Sequence, residues 1–156
     1  MSTAIIYRSF LGTTKRYAEW LHEEIESDIY EHSQIDKQSL LKYDLVILCA
    51  GTYAGWISLR GYLKRRWDIL KDRKVILLAT GSIPIDHPWS VRSYEKIPKQ
   101  IRESIKYFKL SGIRHPQDAD EVKKVNLTPI IEYIKKVTDI QPKERRKEGN
   151  KKKKKK

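Results

Sequence analysis

Three short apolar runs, Ala4–Tyr7, Leu45–Ala50 and Val75–Ala79, punctuate the chain, and none alternates with polar residues. Unbroken runs of this length, bounded by turn residues, are the pattern of strands covered on both faces. The spacing changes between them. Tyr17, Ala18, Leu21 and Ile25 fall on one face of a helix, as do Leu59, Leu63, Trp67 and Leu70. Ile97, Ile101, Ile105 and Phe108 share a face behind Pro98, which takes a first helical position. Thr128-Pro129 opens a last helix with Leu127, Ile131, Ile134 and Val137 in line. A weakly marked strand around Asp28–Ser33 reads as an edge, and a fifth is placed near Phe108–Ile113. Strands alternating with helices predict βαβ units around a parallel sheet, an α/β fold. Such sheets bind ligands beyond the carboxyl ends of their strands.

The loops at those ends carry the candidate chemistry. The first strand breaks into Arg8-Ser9-Phe10-Leu11-Gly12-Thr13-Thr14-Lys15, and a helix pattern begins at once. A loop of hydroxyls and glycine before a helix N-terminus is a ready anion site. Unpaired N–H groups and the helix dipole both favour negative charge there. Ser9, Thr13 and Thr14 offer hydroxyl donors, and Gly12 lets the backbone bend close to the anion. Lys15 and Arg16 oppose the dipole in the first turn, a mild cost that an anionic ligand offsets. The spacings of the nucleotide P-loop and of the dinucleotide fingerprint are both absent.

Ser9-Phe10-Leu11-Gly12-Thr13-Thr14 resembles the flavodoxin phosphate loop, written T/S-x-T-G-N-T. It keeps the first hydroxyl, the glycine and the last hydroxyl, and departs at Leu11 and Thr13. Two later segments fall where that family places its flavin-ring loops. They are Gly51-Thr52-Tyr53-Ala54-Gly55-Trp56 and Thr80-Gly81-Ser82. The chain looks most like the flavodoxin-domain branch that includes the menaquinone-dependent protoporphyrinogen oxidases, over roughly residues 1–140. The resemblance implies a doubly wound, five-stranded parallel sheet of order 2-1-3-4-5 in a three-layer sandwich. It also implies flavin mononucleotide (FMN) as cofactor. Its contacts would be Ser9, Phe10, Leu11, Gly12, Thr13 and Thr14 in the first loop, and Thr52, Tyr53, Ala54, Gly55 and Trp56 in the second. Thr80, Gly81 and Ser82 in the third complete the set. In the family a peptide of the second loop reorients on reduction, a part that Ala54-Gly55 would play.

Charge alters the picture at one end. The 156 residues carry a net +13. Lys143–Lys156 holds ten Lys or Arg against two Glu and no apolar residue, leaving +5 on the body. We therefore expect a flavodoxin-like domain over 1–142 and a disordered basic tail over 143–156. A tail of this kind suits an anionic surface. No run of eighteen apolar residues and no secretory pattern is present, which predicts a cytoplasmic protein, peripheral to the membrane at most.

Other chemistries find no support. The single cysteine, Cys49, lies within an apolar run and reads as a buried strand residue. His22, His32, His87 and His115 are scattered without metal-ligand spacing, and no catalytic triad or carboxylate pair stands out. The long third loop, Thr80 to Trp89, reads as a cover for the ring or for a partner's acceptor. No catalytic side chain is assigned, which fits a cofactor that does the redox chemistry itself. The expected partner is a redox protein or a small substrate such as a porphyrinogen or quinone. The competing class is a flavin-free binding module for nucleic acid or acidic partners. Family members are typically acidic, so the basic body predicts a less negative potential for the second electron than they show.

Overall fold

The apolar runs fold as the middle of a parallel sheet in the computed structural model, which describes residues 2–10, 12–113 and 120–138. The first half of the chain runs β1 (Thr3–Arg8), α1 (Thr13–Glu24), β2 (Asp28–Glu31), α2 (Lys37–Leu40), β3 (Leu45–Tyr53) and β4 (Trp56–Ile57). The second runs α3 (Arg60–Arg65), α4 (Trp67–Leu70), β5 (Lys74–Gly81), α5 (Pro88–Glu95), α6 (Lys99–Arg102), β6 (Lys106–Ser111) and α7 (Thr128–Val137). The parallel strands stand in the order β2-β1-β3-β5-β6, with β4 paired antiparallel to β3. Without the two-residue β4 this is the expected 2-1-3-4-5 order. Registers such as Ile5↔Ile47 and Ile47↔Ile76 align the three apolar runs side by side.

Side chains of a strand alternate between faces, so one sheet builds two cores. Ile5, Ile47, Cys49, Ile76 and Leu78 face α1 and α7, meeting Tyr17, Leu21, Ile130 and Ile134. Ile6, Val46, Leu48, Val75 and Leu77 face α2 to α6, meeting Leu40, Leu63, Leu70 and Ile101. Each fully buried Leu or Ile contributes about 1.5–3 kcal/mol relative to exposure.

Three expectations need correction. The helix read over Ile97–Phe108 shrinks to the single turn of α6, and Phe108 lies in β6. Ile97 and Ile101 are buried, but from Lys106 the chain pairs beside β5, so the apparent helical spacing crosses an element boundary. The stripe Leu59–Leu70 is two helices, because Arg66 (φ −101°, ψ 5°) interrupts it. The third loop is shorter than expected. Pro88 starts α5, and the Nδ1 of His87 accepts the Trp89 N–H at 3.1 Å as its cap. That gives His87 a structural task. Leu11, His115 and the expected tail 143–156 lie outside the described residues.

Candidate functional site

Every parallel strand ends toward the same edge of the sheet, and the three expected loops meet there. Gly12, at φ +88°, turns the chain into α1, a backbone conformation that costs other residues about 1–2 kcal/mol. No side chain caps α1 and its first turn has no acidic residue, so its leading N–H groups remain available. The Gly12 N–H donates to the Ser9 hydroxyl oxygen at 3.0 Å, which closes the loop on itself. Thr14 is buried, and its hydroxyl meets that of Thr80 at 2.9 Å. That bond joins the start of α1 to the end of β5 across the cavity floor.

The second loop is a hairpin. Tyr53 pairs with Trp56 across Ala54-Gly55, and both central residues have positive φ, +49° and +80°. Positive φ at both positions is what a type I′ hairpin turn requires, and its twist matches that of the flanking strands. Phe10, 63% exposed, sets its ring edge-on to Tyr53 at 4.8 Å, so the first two loops touch.

Between these loops opens a cavity of about 620 Å³, within the range of small-molecule sites. Thr13 and Thr14 line one side, and Thr52, Tyr53, Ala54 and Gly55 another. Thr80, Gly81 and Ser82 complete the expected set. Four expected contacts are not part of its wall: Ser9, Phe10, Gly12 and Trp56. Ser9 and Gly12 shape the loop behind it. Trp56 turns outward, where the Arg60 guanidinium and the Lys96 ammonium lie 4.1 and 3.8 Å from its ring centre. Lys96 also donates to the Gly55 carbonyl at 2.8 Å, fixing the far side of the turn. Lys15 and Arg16 point elsewhere, toward Glu19 and Trp20.

The cavity also gathers residues that the loop motifs did not indicate. Trp89, Ser90 and Ser93 come from α5, which is not among the expected helices and for which Pro88 at the first turn is the available signal. Lys109 comes from β6 and donates to the Thr52 hydroxyl at 3.2 Å. Burial holds its ammonium below the ordinary lysine pKa. No local pattern marks a strand lysine as a cavity residue.

Apolar and aromatic walls, a helix N-terminus with Thr13 and Thr14 at one end and a half-buried cation suit a flat, anionic ligand. Cys49 is not a nucleophile, since complete burial pushes its thiol up to about 12. Among the described residues no cluster of His, Cys, Asp or Glu could hold a metal ion.

A family profile described as "Flavodoxin domain" matches residues 4–140. No curated protein sequence matches the chain. Among solved structures, the two-electron reduced flavodoxin of Megasphaera elsdenii is similar at 14% identity, covering 80% of this chain and 95% of its own, with a TM-score of 0.56. The Trp repressor binding protein of Bacillus subtilis is similar at 14% identity over 81% of this chain and 94% of its own, at TM-score 0.60. A putative flavoprotein from Bacteroides eggerthii reaches 15% over 85% and 97%, at 0.56.

Proposed function

The chain belongs to the flavodoxin domain family, and from that premise we propose that its cavity holds FMN and serves redox chemistry. The observation that carries this reading is convergence. Three loops far apart in sequence close on one cavity, with an uncapped helix N-terminus at one end of it. Thr13, Thr14 and the leading N–H groups of α1 would hold the phosphate, where charge-assisted bonds are about twice as strong as neutral ones. Tyr53 and Trp89 offer aromatic walls to the ring and keep water from it. The Ala54–Gly55 peptide would be the one to reorient, beside a Gly55 carbonyl that Lys96 holds. When bound, the isoalloxazine accepts and returns electrons, chemistry that no side chain here supplies.

Within this class we favour two-electron oxidation of an anionic substrate, such as a porphyrinogen, over one-electron carriage, with a quinone as a candidate acceptor. The cations Arg60 and Lys96 beside the hairpin favour it. We place the activity in the cytoplasm, with Lys143–Lys156 drawing the domain to anionic surfaces. No described helix is long and apolar enough to cross a membrane.

A fluorescence titration tests the core of this reading. FMN should bind more than tenfold tighter than riboflavin. Equal affinities would remove the phosphate assignment. No uptake of either flavin would sink the reading in favour of a flavin-free binding module.

A further inference from the structure

Lys109 occupies an unusual place for a strand lysine. Its partner in register is Ala79 on β5, yet its ammonium reaches Thr52 on β3. The side chain therefore passes over β5 instead of out to solvent. It does so at Gly81, where a Cβ would stand 2.9 Å from Nζ and 3.3 Å from Cε. The missing side chain of Gly81 makes the passage. None of the ion pairs among the described residues involves Lys109, and its polar contact is one neutral hydroxyl. A cation partly removed from water without an anion is costly unless a ligand supplies the charge.

Its position also says which charge. The phosphate end of the cavity is built by the β1–α1 junction, at Thr13 and Thr14. The ammonium instead lies between Thr52 of the second loop and Gly81 of the third. Resting on the flavin reading above, we propose that Lys109 is the counter-cation of the ring end of the cavity, pairing with the negative charge that the ring acquires on reduction. Two electrons from the donor and one proton from water convert the neutral oxidised ring into a monoanion, and the ammonium favours that form over the neutral one. Flavin would then bind more tightly reduced than it would without this residue.

The test uses the full chain as wild type, Lys109→Met and Lys109→Arg, each loaded with FMN and, separately, with riboflavin. Potentiometric titration with dithionite reads the ratio of reduced to oxidised affinity. The Met variant should lower that ratio by about tenfold or more, which is about 30 mV for a two-electron couple. Riboflavin should show the same shift, because the charge concerned is on the ring, and Lys109→Arg should recover most of it. In the cofactor-free protein, acetylation of Lys109 followed by mass spectrometry should be blocked by riboflavin as well as by FMN. Normal flavin uptake with an unchanged ratio in Lys109→Met would overturn this proposal alone. Loss of FMN affinity with riboflavin affinity intact would assign the cation to the phosphate and also overturn it. Failure of the wild type to bind any flavin would overturn both this and the reading it rests on.

Discussion

The two faces of the sheet are built from different kinds of helix. On one, α1 runs for 12 residues and α7 for 10. On the other, α2, α4 and α6 have 4 residues each, α3 has 6 and α5 has 8. Long helices propagate their own hydrogen bonds, whereas one-turn helices depend on packing and on caps such as the Asp36 carboxylate, which accepts the Ser39 N–H at 2.8 Å. The division carries into the site. The continuous face supplies the anion end through α1, while the fragmented face supplies Trp89, Ser93 and the cations that brace the hairpin. Segments of short helices and turns open locally at lower cost than long packed ones. The ligand's anchor thus belongs to the stiff side, and its adjustable surroundings to the side made of many small pieces.

Core truncation should expose the difference most strongly. Leu21 on α1 and Leu63 on α3 are both fully buried. Leu21→Ala should cost toward the top of the range of about 2–5 kcal/mol, and Leu63→Ala toward its bottom, because a two-turn helix can settle into the space. Urea denaturation measures both, and the reverse order would break the comparison.

Next comes the turn into α1. Gly12→Val meets open space but retains a φ of +88°, so strain of about 1–2 kcal/mol is expected without loss of the fold. FMN affinity should fall more than tenfold. In the hairpin the effect should be opposite in sign. Ala54→Gly relieves a positive φ and should leave the thermal midpoint unchanged or slightly raised.

The tryptophans give a smaller contrast. Trp89→Ala removes part of the cavity wall and should weaken flavin binding severalfold. Trp56→Ala loses two exposed cation–π contacts of about 0.5–1 kcal/mol each but should change flavin affinity less. Equal losses of affinity would show that Trp56 reaches the ligand.

A last contrast lies in the alkaline pH dependence, where the faces should pull in opposite directions. The Lys109 ammonium is held below its unfolded pKa by burial, so just below pH 10.5 the unfolded chain binds more protons. Stability from this group rises with pH there. Cys49 is raised from 9 to about 12, so its contribution is full below pH 9 and is lost as pH climbs toward 12. Urea midpoints between pH 7 and 10.5 should lose the rising component in Lys109→Met and the falling one in Cys49→Ala.

Legibility followed the same division. Runs such as Leu45–Ala50 are buried on both faces, so their composition alone marks them as inner strands. Tyr17, Ala18 and Leu21 repeat along an uninterrupted helix and were readable for the same reason. On the other face the repeats span breaks. Ile97 and Ile101 belong to the α6 region, Phe108 belongs to a strand, and a helical period joined them without a helix. Nine of the expected contacts line the cavity, because loops at strand ends are local in sequence. Trp56 lies off the cavity wall because Arg60 and Lys96 hold its ring, contacts that no local pattern in the second loop announces. Lys109 depends on a gap in an adjacent strand, information that exists only once β5 and β6 lie side by side.

That gap has a consequence for how the protein tolerates change. Gly81 has an ordinary negative-φ backbone demand, since it is absent from the positive-φ residues, so alanine would suit its own conformation. Yet a methyl group there would collide with the end of the Lys109 side chain, which can swing aside. Gly81→Ala should therefore act at a distance of one strand, displacing a charge rather than straining a turn. The two positions should behave as one genetic unit. Once Lys109 is methionine, the added methyl at 81 has no ammonium left to displace, and the second substitution should have much less effect on the cavity's electrostatics than the first.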